Sequence, residues 1–130
     1  MKIKFLAGCN NYSYKIVNET VNGIDLSVLQ SGDVFIGNEK TKKTGIIYAE
    51  RNNDNVLYVT LEQCVIASQL TRKKAHWREG GFIDAKSYDA EKCYVIPTGV
   101  ADLIEGKDYQ IVKGIDCTGT EGWTIKEVAK

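Results

Sequence analysis

The stretch that decides the fold is Tyr12–Leu29, which reads YSYKIVNETVNGIDLSVL. Asn22-Gly23 at its centre is the strongest short hairpin signal, because a two-residue type I′ turn needs positive φ at both positions and these residues adopt it readily. The flanking segments, Tyr12–Val21 and Ile24–Leu29, are rich in Val, Ile and Tyr, which favour strands. The sequence therefore predicts an antiparallel hairpin here.

Short apolar runs separated by turn residues continue on both sides of this hairpin. They predict strands at Met1–Cys9, Val34–Gly37, Thr44–Glu50, Val56–Thr60, Phe82–Ala85, Cys93–Ile96, Tyr109–Lys113 and Trp123–Val128. Such a succession of short strands and tight turns is typical of an antiparallel meander. We expect the meander to form a small barrel or two packed sheets.

Helical signals occur in two places. Thr60 and Gln63 have the spacing of a capping box, and the apolar residues that follow predict one main helix over about residues 60–71. Thr98 is a good N-cap and Gly106 a good C-terminal stop, which predicts a short helical turn over about residues 98–104. With these two helices the predicted class is a β-rich α+β fold.

The composition is that of a folded domain whose binding is not driven by net charge. No linker or low-complexity run divides the 130 residues, so we expect a single domain over residues 1–130. Seventeen basic residues balance 17 acidic ones, which argues against binding nucleic acid or anionic membranes through overall charge. No segment approaches the ~18 apolar residues of a membrane span, and no apolar run resembles a secretion signal. We therefore expect a cytoplasmic protein that does not bind membranes.

The cysteines and the single histidine carry little sign of catalysis or metal binding. Cys9, Cys64, Cys93 and Cys117 are widely spaced and form no Cys-x-x-Cys pair, so we expect four reduced thiols rather than disulfides or a zinc site. A small enzyme that pairs one of them with His76 is the weakest of the functions considered. We predict no metal and no cofactor.

The most informative polar segment, residues 72–78, combines four fixed positive charges with a histidine and a tryptophan. Its cations could grip phosphates while an aromatic ring stacks on a base. Alternatively, the charges complement a helix C-terminus and the tryptophan anchors the core. A second basic loop lies at a predicted hairpin tip. The candidate binding residues are Arg72, Lys73, Lys74, His76, Trp77 and Arg78, together with Lys42 and Lys43.

Two functions from different classes follow from these patterns. The first is a non-catalytic binding protein, inhibitor-like or adaptor-like, that acts on a protein or nucleoprotein partner through sheet edges, hairpin tips and aromatic anchors. Tyr12 and Tyr14 would point to the same face of a strand. They are candidate anchors for a partner unless they only fill half-buried strand positions. The alternative is a binder of nucleic acid or a phosphorylated ligand through residues 72–78. The sequence leaves the oligomeric state open.

Overall fold

The computed structural model describes residues 1–38, 42–66, 76–98 and 108–128 of the chain. In chain order its strands are β1 (Lys2–Gly8), β2 (Ile16–Val17), β3 (Thr20–Val21), β4 (Ile24–Asp25), β5 (Val34–Ile36), β6 (Ile46–Arg51), β7 (Leu57–Cys64), β8 (His76–Glu79), β9 (Ile83–Asp84), β10 (Val95–Thr98), β11 (Asp108–Ile115) and β12 (Glu121–Val128). Three-residue 3₁₀-helices in this part of the chain are Leu26–Val28, Lys42–Thr44 and Ala85–Ser87.

The predicted α+β class with a main helix is wrong. The described chain is rich in strands and contains no helix of seven or more residues. Where the helix over residues 60–71 was expected, the chain forms β7 as far as Cys64. The predicted small barrel is wrong as well, because the sheets are open. None of the helices within the described ranges has the length and apolarity needed to cross a membrane.

The position of β7 explains why a helix was predicted for it. β7 pairs with β6 on one side and β1 on the other, so it lies inside its sheet. Its core face, which includes Leu61, is buried, and its opposite face is partly covered, with Thr60 only 6% exposed and Tyr58 and Glu62 half-buried. A strand covered on both faces reads as a continuous apolar run, which resembles a buried helix in sequence. Gln63 caps no helix; its Oε1 accepts hydrogen bonds from the backbone N–H groups of Tyr94 (2.7 Å) and Val95 (3.3 Å).

The second predicted helix, over residues 98–104, is only partly within the described residues. Thr98 is the last residue of β10 and does not begin a helix. The rest of that prediction, residues 99–104, lies outside the described ranges. β10 pairs antiparallel with β8, with Thr98 opposite His76.

The largest sheet is mixed and has the order β5-β6-β7-β1-β9. β1 runs parallel to β7, from Lys2 opposite Tyr58 to Gly8 opposite Cys64. The other strand pairs of this sheet, β5–β6, β6–β7 and β1–β9, are antiparallel. The carboxyl ends of β1 and β7 therefore lie side by side. The β11–β12 hairpin joins β7 just beyond this point, where Ile66 N–H donates to the carbonyl of Trp123 at 2.8 Å.

The hairpin predicted around Asn22-Gly23 is confirmed. Both turn residues have positive φ, 48° for Asn22 and 84° for Gly23, and Val21 faces Ile24. Both predicted strands are shorter than expected. The first is divided by a turn at residues 18–19 into β2 and β3, and the second ends where a 3₁₀-helix begins after Asp25. The Asp25 carboxylate accepts a hydrogen bond from the Ser27 N–H at 3.0 Å and so caps that helix.

The core lies on one face of the large sheet, where alternate residues of its inner strands meet the small β2–β4 sheet. Its fully buried members are Ile3, Phe5, Val21, Leu26, Ile46, Ala49, Leu57, Val59, Leu61, Val65 and Val95. Phe5 also stacks on Tyr94, with ring centroids 5.0 Å apart, and on Tyr88 at 5.7 Å. These ring contacts fix the loop before β10 against the carboxyl half of β1.

Candidate functional site

The predicted basic segment is described only from His76 onward. Arg72, Lys73 and Lys74 lie outside the described residues, and the segment continues as β8 rather than as a helix end. Within β8, Trp77 is half-buried and packs against the core, whereas Arg78 is exposed. In the described part of the chain, the Trp77 Nε1 group is buried without a hydrogen-bond partner. The observed position of Trp77 matches the core-anchor interpretation better than base stacking.

The second predicted basic loop forms the 3₁₀-helix Lys42–Thr44. Lys43 is exposed and lines a shallow hollow together with Asn10, Tyr12 and Glu121. This hollow borders the carboxyl end of β1. The structure therefore brings one predicted cation, Lys43, near the tyrosine that the sequence singled out.

None of the four cysteines, all of which lie within the described ranges, forms a disulfide, and two of them are shielded. Cys9 and Cys117 are exposed, whereas Cys64 is buried and Cys93 half-buried. Burial raises the pKa of the Cys93 thiol to about 11, partly offset by its hydrogen bond to the Val95 carbonyl. A raised pKa keeps the thiol protonated, which is the opposite of an activated nucleophile.

The outer strand of the large sheet presents an apolar edge, here called the β5 edge (Val34–Ile36). The Gly37 N–H donates to Ile47 (3.0 Å) and the Asp33 carbonyl accepts from Arg51 (3.1 Å), so odd-numbered residues face β6. Strand alternation then directs the N–H and C=O groups of Val34 and Ile36 away from the sheet. These two side chains are 50% and 67% exposed.

Apolar and aromatic side chains continue from the β5 edge across the same face of the sheet. The register places Ile36 beside Tyr48 and Val34 beside Glu50, with Tyr58 next along the row. The Tyr58 ring meets exposed Phe82 edge-on, with centroids 4.9 Å apart. Exposed Glu50 lies between Val34 and Tyr58, so this face carries apolar and aromatic side chains interrupted by a charge.

A pocket lies where the carboxyl ends of β1 and β7 meet the β11–β12 hairpin, and we call it the tyrosine pocket. Its cavity volume is about 60 Å³. Its residues are Phe5, Asn11, Tyr12, Tyr14, Glu62, Gln63, Cys64, Tyr88, Ala90, Lys113, Glu121, Gly122 and Trp123. Five aromatic rings and two glutamates therefore surround one small cavity.

Tyr14 fixes one wall of the tyrosine pocket. Its hydroxyl donates to the Glu62 carbonyl (2.5 Å) and accepts from the Glu62 N–H (3.0 Å). Its ring lies edge-on to Phe5, with centroids 5.9 Å apart. Burial raises the pKa of Tyr14, so the phenol stays protonated at neutral pH. Tyr14 is therefore a structural part of the wall, whereas its neighbour Tyr12 lines the cavity more openly.

The Glu62 side chain lies over Gly8 and points toward the loop after β1. A Cβ added at Gly8 would come within 2.3 Å of the Glu62 carboxyl carbon, so only glycine leaves this path open. The Glu62 Oε2 accepts a hydrogen bond from the Asn10 N–H at 3.0 Å. Burial, and then the charge of Glu62, raise the pKa of Tyr12, and both residues line the tyrosine pocket.

Sequence reasoning missed Glu62, Trp123, Val34 and Ile36 as candidate site residues. The only available signal for the pocket was the Tyr12/Tyr14 pair, because Glu62 was assigned to a helix. Val34 and Ile36 were recognised as strand residues, but an edge position depends on pairings that the local sequence does not contain.

Comparison with known protein families, with curated proteins and with solved structures finds no match to this chain. Its function is therefore inferred from the chemistry of the β5 edge and of the tyrosine pocket.

Proposed function

We propose that this chain is a non-catalytic binding protein that takes up an extended segment of a partner protein along the β5 edge. The observation that carries the proposal is that Val34 and Ile36 direct both their exposed side chains and their outward backbone groups at solvent. Within the described ranges, no strand pairs with this edge. A partner strand would satisfy those backbone groups and cover the side chains in one step.

The residues of β5 support binding of a partner strand over an edge that has no binding role. Proteins normally protect exposed edges with lysine, proline or a bulge in the edge strand. β5 is short, which itself limits an edge, but its three residues Val34, Phe35 and Ile36 include no lysine or proline. The neighbouring strip that includes Tyr58 and Phe82 would add aromatic anchors to a partner bound there.

The alternative function through residues 72–78 stays a prediction. Its stacking component gains no support from Trp77, which packs against the core rather than facing solvent. Arg78 is exposed, but a single exposed arginine does not distinguish phosphate binding from a solvated strand.

Capture from host lysate tests the proposed function with two matched variants. Ile36→Lys places a charge on the edge, whereas Val28→Lys makes the same change at an apolar residue of similar exposure, 71% against 67%, outside the large sheet. We expect wild type and Val28→Lys to retain the same defined protein at low and high salt. We expect Ile36→Lys to lose it, because a lysine opposes strand pairing.

Three outcomes would contradict the proposal. Equal capture by Ile36→Lys would show that the edge is not the interface. Loss of the wild-type partner at high salt would favour a charge-driven contact, and alanine at Arg72, Lys73 and Lys74 would then test the alternative. A wild-type dimer that Ile36→Lys dissociates, with no other protein captured, would assign the edge to a second copy of this chain.

A further inference from the structure

We propose that the tyrosine pocket binds a cationic end group, the ammonium or guanidinium of a lysine or arginine side chain. None of the residues that line this pocket belongs to β5, so the inference stands independently of the β5 edge. It rests on the rings, on the balance of charge inside the cavity and on two similar arrangements in the described chain, one of which, Lys113 over Trp123, lies in the pocket wall itself.

Five of the 13 residues that line the tyrosine pocket are aromatic. Tyr12 lies 6.2 Å from Tyr14, and Tyr14 lies 6.1 Å from Tyr88, measured between ring centroids. Trp123 also lines the cavity, and the Lys113 Nζ lies 5.5 Å from the centre of its ring. The face of an aromatic ring attracts a cation placed within about 6 Å of its centre. A cavity lined by such rings therefore favours an organic cation over an anion.

The charges that line the pocket are mostly negative. Glu62 and Glu121 contribute two carboxylates, and Lys113 contributes one ammonium. That ammonium is already bonded to Glu91, outside the pocket lining, at 2.9 Å. The Glu62 carboxylate has a single hydrogen-bond donor among the described contacts, the Asn10 N–H. Glu62 therefore retains acceptor capacity and charge that a cation would neutralise.

The same combination of ring, carboxylate and ammonium occurs twice in the described part of the chain. The Lys113 Nζ lies 5.5 Å from the Trp123 ring centre and bonds to Glu91. The Lys4 Nζ lies 5.0 Å from the Phe82 ring centre. It also pairs with Glu79 at 3.1 Å. Tyr12 and Glu62 line the tyrosine pocket together, and no ion pair or cation–ring contact is seen at either of them among the described contacts, although exposed Lys43 lines the neighbouring hollow with Tyr12.

Titration with small probes tests this site directly. The probes are Nα-acetyl-arginine methylamide, Nα-acetyl-lysine methylamide and the citrulline counterpart of the first, which has the same shape without the charge. Binding is followed by amide and indole chemical shifts. We expect at least one cationic probe to saturate shifts at Tyr12, Glu62 and the Trp123 indole, with a Kd on the order of 1–10 mM. We expect the citrulline probe to cause no such shifts.

Amino-acid substitutions test whether the Glu62 carboxylate is responsible for binding of the probes. Glu62→Gln removes the charge at constant shape and should weaken binding at least about tenfold. Glu50→Gln, an exposed carboxylate on the outer face, should leave binding unchanged. If Glu62→Gln does not fold, Gly8→Ala provides the second variant, because the added methyl group displaces the Glu62 side chain.

The inference is overturned by any of three results. Neither cationic probe shifts the pocket signals, the citrulline probe binds as well as the arginine probe, or a folded Glu62 or Gly8 variant binds like wild type. Ile36→Lys should bind the probes normally, so failure of the β5 edge proposal and failure of this one can be told apart.

Discussion

At the residue scale, Arg51 is the polar side chain on which the packing of the β2–β4 sheet depends most. It is 5% exposed, and its two terminal nitrogens reach the Glu19 carboxylate at 2.8 and 3.2 Å. Its Nε donates to the carbonyl of Leu29, and Nη1 donates to the carbonyl of Asn55 at 3.2 Å. One guanidinium thus connects β6 to the β2–β3 hairpin, the segment after the first 3₁₀-helix and the β6–β7 turn.

Arg51→Lys should lower the free energy of unfolding by about 2 kcal/mol, because a lysine keeps the charge but cannot reproduce the planar fork of donors. Urea denaturation followed by far-UV circular dichroism measures this loss. Glu19→Gln keeps an acceptor and is the milder control. A wild-type denaturation midpoint for Arg51→Lys would show that the hydrogen bonds seen here contribute little.

The cysteines provide a second prediction about single residues. Iodoacetamide near neutral pH should modify exposed Cys9 and Cys117 first and Cys93 more slowly, since burial raises the pKa of Cys93 to about 11 and leaves little thiolate. Buried Cys64 should react only on unfolding. Peptide mass spectrometry over time gives the order. Modification of Cys93 as fast as Cys9 would contradict the shielding described here.

At the scale of elements, the turns are the parts that the sequence predicts best. The Asn22-Gly23 turn and the β11–β12 pair follow from local residue chemistry, and both occur. β7 was misassigned because its burial comes from β1 and β6, which pair with it from distant parts of the chain. Local pattern could not separate a strand covered on both faces from a buried helix.

Gly23 offers a test of the hairpin turn. Its φ is +84° and no atom lies within 4 Å of an added Cβ, so the cost of a side chain here is conformational alone. Gly23→Ala should destabilise the protein by roughly 1–2 kcal/mol, and Gly23→Asn by less, because asparagine tolerates this backbone region. Thermal denaturation of both variants measures the difference. If alanine is tolerated as well as asparagine, the type I′ turn does not contribute to stability as described.

Three short turns are capped by aspartates whose pKa values lie below the ordinary 3.8. The causes are hydrogen bonds from the Ser27 side chain to Asp25, from the Lys86 N–H to Asp84 and from the Thr118 side chain to Asp116. Because the folded pKa is lowered, the stabilisation is complete above pH ~4 and is lost as the pH falls through the folded values.

Carboxyl-detected NMR titration should therefore place the midpoints of all three aspartates below 3.8. Replacing the three aspartates by asparagine should make the free energy of unfolding depend less on pH under acid conditions. Midpoints at or above 3.8 would mean that these caps do not favour the charged form in the folded protein.

At the scale of the whole molecule, the functional surfaces depend on pairings that the sequence does not reveal. Tyr12 and Glu62 are 50 residues apart and meet only because β1 and β7 run parallel. The outward groups of Ile36 matter only because β5 is the last strand of its sheet. The general class of binding protein was predicted from composition and remains a proposal, and the single domain over residues 1–130 remains a prediction.

Amide hydrogen exchange in the captured complex tests the β5 edge most directly. The N–H groups of Val34 and Ile36 point away from the sheet, whereas that of Phe35 faces β6 and is already in the ladder. Partner binding should slow exchange at Val34 and Ile36 and leave Phe35 unchanged, since only outward amides gain hydrogen bonds. Unchanged exchange at Val34 and Ile36 in a saturated complex would contradict strand addition at the β5 edge.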